Sequence, residues 1–150
     1  MRTILLITTL AVAIVAVTAP AGSASERAAA ASRSTLTERD SRFGRILFDG
    51  RGFALYAFTR DPRGRSVCRG ACAVAWPPYL VAGKPAAGRG IDAKRLGTTR
   101  RADGKLQVTY YGRPLYYYVG DRSPGQIFCQ DIDEFGGTWL VARANGTLVR

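Results

Sequence analysis

Leu55-Tyr56-Ala57-Phe58-Thr59-Arg60-Asp61 returns sixty positions later as Leu115-Tyr116-Tyr117-Tyr118-Val119-Gly120-Asp121. Both stretches read Leu-Tyr-x-aromatic-x-x-Asp, and a fixed internal period marks one supersecondary unit used twice. In an extended strand Phe53, Leu55 and Ala57 fall on one face, and Ala54, Tyr56 and Phe58 on the other. Both faces are apolar or aromatic, so the strand is expected to be covered on both sides.

Working outward, Ile46-Leu47-Phe48, the Asp49-Gly50-Arg51-Gly52 turn and the strand to Phe58 predict a hairpin over residues 45–58. The later copy repeats this with Leu106–Tyr111, a turn at Gly112-Arg113-Pro114, and Leu115–Val119. A strand at Leu96–Arg101 and a turn at Asp103-Gly104 precede it, and Asn145-Gly146 predicts a last hairpin. Each motif Asp opens a turn, 61–64 or 121–125, where its carboxylate is expected to accept backbone N–H groups two or three residues on. The alternative is that Asp61 and Asp121 meet as a carboxylate pair for metal or acid/base work. Trp76 and Trp139 follow their motif Asp by 15 and 18 residues and are expected to be equivalent core anchors, with ligand stacking as the alternative.

These signals predict an all-β, mainly antiparallel fold. Two related halves, about 43–80 and 104–141, form one compact domain over residues 43–150, with a short helical turn near Cys72.

The N-terminal end reads differently. Arg2, an apolar run from Thr3 to Ala19 and the small-residue exit Gly22-Ser23-Ala24 form a secretory signal peptide, residues 1–24. Cleavage after Ser25 fits nearly as well, and an uncleaved anchor is the competing reading. Residues 25–42 contain a single large aliphatic, Leu36, and are expected to be a disordered leader, with at most a short helix at 28–31.

The chain carries a net charge of +11 and no histidine. Residues 43–113 hold fourteen Lys and Arg against four Asp and Glu, net +10, whereas residues 114–150 are net −1. Such a field suits an anionic cell-wall or surface component, with plain solubility as the bland reading. Without histidine, Ser-His-Asp and Cys-His hydrolysis and His-ligated zinc, haem or copper are excluded. No phosphate-cradling Gly-x-x-x-x-Gly-Lys-Ser/Thr loop is present. Carboxylate pairs for glycoside hydrolysis remain formally open among Asp92, Asp103, Asp121, Asp131, Asp133 and Glu134. No catalytic set, cofactor or metal site emerges, and the reading leans away from an enzyme.

Three cysteines, Cys68, Cys72 and Cys129, allow one intramolecular bridge and a leftover thiol. The Cys68–Cys72 loop would stabilise by about 2 kcal/mol and a bridge to Cys129 by about 4 kcal/mol on the chain-entropy estimate, but proximity favours the short one. The same three sulfurs could instead serve thiol redox chemistry or hold a soft metal such as Cu(I).

Tyr56-x-Phe58-x-x-Asp61 and Tyr116-x-Tyr118-x-x-Asp121 resemble the motif of a bacterial family of exported proteins. That family is described as a secreted repeat of unknown function, or as predicted lipoproteins with a Tyr-x-(Phe/Trp/Tyr)-x-x-Asp motif. Cys68-x-Gly70-x-Cys72-Ala73 with Trp76-Pro77-Pro78, and Pro124-Gly125-Gln126 through Phe135-Gly136-Gly137-Thr138-Trp139, resemble the segments that follow the two motifs, so the likeness runs over about 43–150. The resemblance implies export and a Cys68–Cys72 disulfide, leaving Cys129 as a buried small hydrophobe or a reactive thiol. This chain lacks the lipid-attachment cysteine of the lipoprotein members. The expected function is therefore a non-enzymatic exported module that binds an envelope or extracellular component, soluble once the signal is removed. It is expected to touch the membrane only through that signal and to have no specific nucleic acid partner. A redox or soft-metal protein and a basic polyanion binder are the alternatives.

Overall fold

The computed structural model describes residues 22–150. All but the last three residues of the expected signal peptide lie outside these. The first described element is α1, Ala24–Arg33, which begins in a capping box: Ser23 N donates to Glu26 Oε2 (2.7 Å) and Glu26 N to Ser23 Oγ (3.3 Å). Its alanines supply the helix propensity, and the helix is longer than the short turn expected at 28–31.

Thr35–Arg39 forms β1, which pairs antiparallel with β2 (Ile46–Asp49) and carries a short parallel pairing to a later strand, Ala86–Ala87. This corrects the expectation of a disordered leader over 25–42. Leu36 is fully buried, Glu38 meets Arg45 at 2.6 Å, and pairing on both edges satisfies the backbone. A single large aliphatic suffices because the apolar surface it needs is already supplied by β2.

The remaining elements follow as β3 (Tyr56–Phe58), α2 (Ala71–Ala75), β4 (Leu80–Val81), β5 (Ala86–Ala87), β6 (Leu96–Arg100), β7 (Leu106–Tyr110), β8 (Arg113–Pro114), β9 (Ile132–Glu134) and β10 (Gly137–Val141). They make three small sheets, β2-β1-β5, β3-β10-β9 and β4-β7-β6, with β8 paired to β7. Apart from β1-β5, all strand pairs are antiparallel. The short helix α2 holds Cys72, so the fold is the mainly antiparallel β architecture expected, with its helical turn in place.

Two turns differ in detail. The predicted 45–58 hairpin holds through the Phe48–Ala54 bridge, after which the chain leaves β2 and pairs as β3 with β10. Asp49 shapes its turn by accepting the Arg51 and Phe53 N–H groups at Oδ1, 3.0 Å each. The later turn is Tyr111-Gly112, with φ 48° and 73°, and Arg113-Pro114 already belong to β8. Two residues at positive φ match the twist of flanking strands, which a turn placed one residue later would not.

The sheets meet at the two motif copies. Tyr56 N donates to Tyr116 O and Tyr116 N to Tyr56 O, both at 2.9 Å, a closed antiparallel pair at the centre of the molecule. Leu55 and Leu115 enter one apolar cluster with Leu36, Leu47 and Tyr79, while Tyr56, Phe58 and Tyr116 enter the other with the two tryptophans. The strand covered on both faces is thus the middle of the fold. Among the described residues no helix is long and apolar enough to cross a membrane.

Candidate functional site

The paired copies exchange side chains as well as hydrogen bonds. Tyr56 OH donates to Asp121 Oδ2 (2.6 Å) and Tyr116 OH to Asp61 Oδ2 (2.5 Å), so each tyrosine completes the other copy's motif. The second carboxylate oxygens accept main-chain N–H groups six and seven residues on, from Val67 (2.7 Å) and Phe128 (3.0 Å). The expected capping role is therefore played further along the chain. Asp61 and Asp121 close their turns, donating N–H to Phe58 O and Tyr118 O at 3.1 Å each, and do not open them. Burial pushes both carboxyls above the usual Asp range, opposed by the tyrosine and N–H bonds and, more weakly, by Arg101 for Asp61 and Arg42 for Asp121. Burial and the facing carboxylates push Tyr56 and Tyr116 far up, which keeps both hydroxyls protonated as donors.

Above this crossing lies an aromatic stack that obeys the same exchange. Trp76 and Trp139 lie face to face with centroids 4.1 Å apart. Phe58 of the first copy stacks on Trp139 of the second at 4.3 Å, and Tyr118 of the second tilts on Trp76 of the first at 4.8 Å. Tyr56 and Tyr116 meet Trp76 and Trp139 edge-on at 5.2 and 5.1 Å. Both tryptophans are fully buried, so neither offers a free ring face to a ligand. Trp76 Nε1 donates to Glu134 Oε2 (2.8 Å), whereas Trp139 Nε1 is buried without a partner among the described residues.

The copies differ at sulfur. Cys68 and Cys72 are joined in a disulfide with Cα atoms 5.3 Å apart, on the flank of α2. Cys129, which follows Phe128 as Cys68 follows Val67, occupies the matching place without a bonding partner and is half-buried. Cys129 beside Tyr118 is the first cause raising that hydroxyl's pKa. With two sulfurs bonded to each other the three do not form a thiolate set. Among the described residues no group of three or more Cys, Asp or Glu side chains is placed to hold a metal ion.

Two clefts flank the core, each with an arginine that the sequence reading left out. Arg42 and Arg101 stand 59 residues apart, one less than the motif period, which is the signal that could have found them. Arg42 donates to Ile127 O and Arg101 Nη2 to Cys68 O (2.7 Å), each reaching the segment behind the other copy's motif. The Arg101 cleft, about 250 Å³, is lined by Ser66, Arg69, Gly70 and Asp103 among others. The Arg42 cleft, about 320 Å³, is lined by Asp40, Ser41 and Gln126 together with Phe48, Ile127 and Phe128. A relay of hydrogen bonds links the first cleft to the core: Arg101 Nη1 donates to Ser66 Oγ (2.6 Å), Ser66 Oγ meets Tyr116 OH (2.7 Å), and Tyr116 reaches Asp61.

The basic middle of the chain is poorly neutralised. Arg51 is held by buried Asp49 at 2.8 Å and Arg45 by Glu38. Among the described residues Arg60, Arg63, Arg65, Arg69, Arg100 and Arg113 have no carboxylate within 4.0 Å. Burial, and then the charge of Arg63, lower the Arg113 pKa, and its Nε is buried without an acceptor.

Residues 97–143 match the family Lipoprotein_15, described as a secreted repeat of unknown function. The match takes in β6 and the second copy, and is narrower than the 43–150 over which the motifs run. No curated protein and no solved structure matches the chain. The secreted description and the disulfide together agree with a place outside the cytoplasm.

Proposed function

We propose that this protein is an exported, non-enzymatic binding module whose basic face docks an anionic component of the cell envelope. The observation that carries this reading is the group of arginines without carboxylate partners among the described residues, Arg60, Arg63, Arg65, Arg69, Arg100 and Arg113, on a scaffold whose motif carboxylates and tryptophans are engaged internally. Guanidinium groups left unneutralised on one stretch of chain attract polyanions and lose them as salt rises. The alternative of a free Asp61–Asp121 carboxylate pair lacks support, because each is committed to a tyrosine and a main-chain N–H.

The module acts as a soluble protein released from residues 1–24, without a lipid on cysteine, since Cys68, Cys72 and Cys129 all sit inside the fold. Sedimentation of the purified protein with isolated cell walls, across a salt series, tests the docking. Retention at low salt that declines steeply with added salt is expected, and no retention at any salt overturns the reading.

A further inference from the structure

The two clefts each hold an arginine from beside the other copy, but only the one at Arg101 is lined by two guanidinium groups, and that contrast singles it out. Its guanidinium is held by three neutral acceptors: Ser66 Oγ (2.6 Å), Gln107 Oε1 (2.6 Å) and Cys68 O (2.7 Å). The nearest carboxylate in its network, Asp61, is reached only through Ser66 and Tyr116. Arg101 Nε is buried and has no acceptor among the described residues, a donor that costs free energy until something meets it. Across the same cavity Arg69 contributes a second guanidinium, exposed and without a carboxylate within 4.0 Å among the described residues. Asp103 also lines the cavity, but Lys105 Nζ stands 4.0 Å from its Oδ2 and offsets its charge.

From this geometry we infer that the Arg101 cleft is an oxyanion subsite that takes one phosphodiester or carboxylate group of an anionic envelope polymer, with Arg101 and Arg69 as its guanidinium donors. The inference deepens the docking reading above and rests on it. Guanidinium forks suit both oxyanions, and a cavity of about 250 Å³ has room for one such group. The matching Arg42 cleft would not serve, since it offers one guanidinium, sets the Asp40 carboxylate beside it, and is otherwise walled largely by Phe48, Ile127 and Phe128.

The test is a titration of the full secreted chain at physiological salt with three probes: a poly(glycerol phosphate) oligomer, a polyglutamate oligomer of equal charge, and inorganic phosphate. Arg69→Gln is compared with Arg122→Gln, which removes the same charge from an exposed position outside both the cleft and the docking arginines. Arg69 is exposed, so its replacement leaves the fold intact. For the preferred polymer a loss of at least tenfold is expected in Arg69→Gln and less than twofold in Arg122→Gln. Arg101→Lys, which keeps the charge and removes the Nε–H, is expected to lose binding similarly provided its melting temperature shows it folded. The probe that responds identifies the oxyanion. Equal losses in the two Arg→Gln variants overturn the subsite and leave the docking reading standing. No binding of any polymer, with no retention on walls, overturns both.

Discussion

At the residue scale the crossed Tyr–Asp bonds set the protein's response to pH. Because burial holds Asp61 and Asp121 above the usual carboxyl range, the native state binds their protons more tightly than the unfolded chain does. Stability is then fully present below the unfolded Asp pKa of about 3.9 and declines as pH rises through the higher folded value. Chemical denaturation at a series of pH values should show this fall in the acid range, and a rise in stability over that window would contradict it. Tyr116→Phe removes the donor that Asp61 depends on and leaves a buried carboxylate short of a partner, at a cost of about 1–3 kcal/mol. The loss should be larger at neutral pH than at pH 4, because protonated Asp61 needs the donor less. Trp139→Ala opens the aromatic stack from its centre and should cost roughly 3–5 kcal/mol, read from the same denaturation curves.

At the scale of elements, the β9–β10 hairpin depends on a close approach. A Cβ added at Gly137 would lie 2.6 Å from Arg60 Cγ and 2.8 Å from Phe58 Cε2, so Gly137→Ala must push the Phe58 ring off Trp139. A lowered melting temperature with a changed near-ultraviolet signal from the tryptophans is expected. The disulfide closes a short loop, and its reduction should cost about 2 kcal/mol. Thiol counting on the unfolded chain should give one group before reduction and three after, with three beforehand ruling the bridge out. Removal of residues 1–40 takes away β1 and its Leu36, uncovering β2, so the shortened chain should be less stable and aggregate through that edge. Strands and turns were legible here because Asp-Gly, Asn-Gly and alternating apolar runs act locally. β1 was not, since its one aliphatic residue has meaning only against β2, and of the helix α1 only the alanine run at 28–31 was legible, not its start at Ser23 and Glu26.

For the whole molecule, the period of the motif was readable, and from it came the antiparallel architecture and the central place of Tyr56 and Tyr116. What no spacing revealed was the exchange of partners between copies, because a side chain's partner sixty residues away depends on how the strands cross. Arg42 and Arg101 were missed for the same reason: each lies just outside its own copy and acts on the other. The disulfide was placed by resemblance, and the clefts needed coordinates. The crossed contacts also bear on how such a protein arose. Each half presents to the other the surface it receives, which is the self-complementary interface of a symmetric homodimer enclosed in one polypeptide. A chain carrying a single copy would leave its tyrosine hydroxyl and its carboxylate unmet, and would satisfy both by joining a second such chain about a true twofold axis. Fusion replaces that concentration-dependent encounter with a permanent one. It also frees the two halves to diverge, one toward a disulfide and a basic cleft, the other toward a lone thiol and apolar walls.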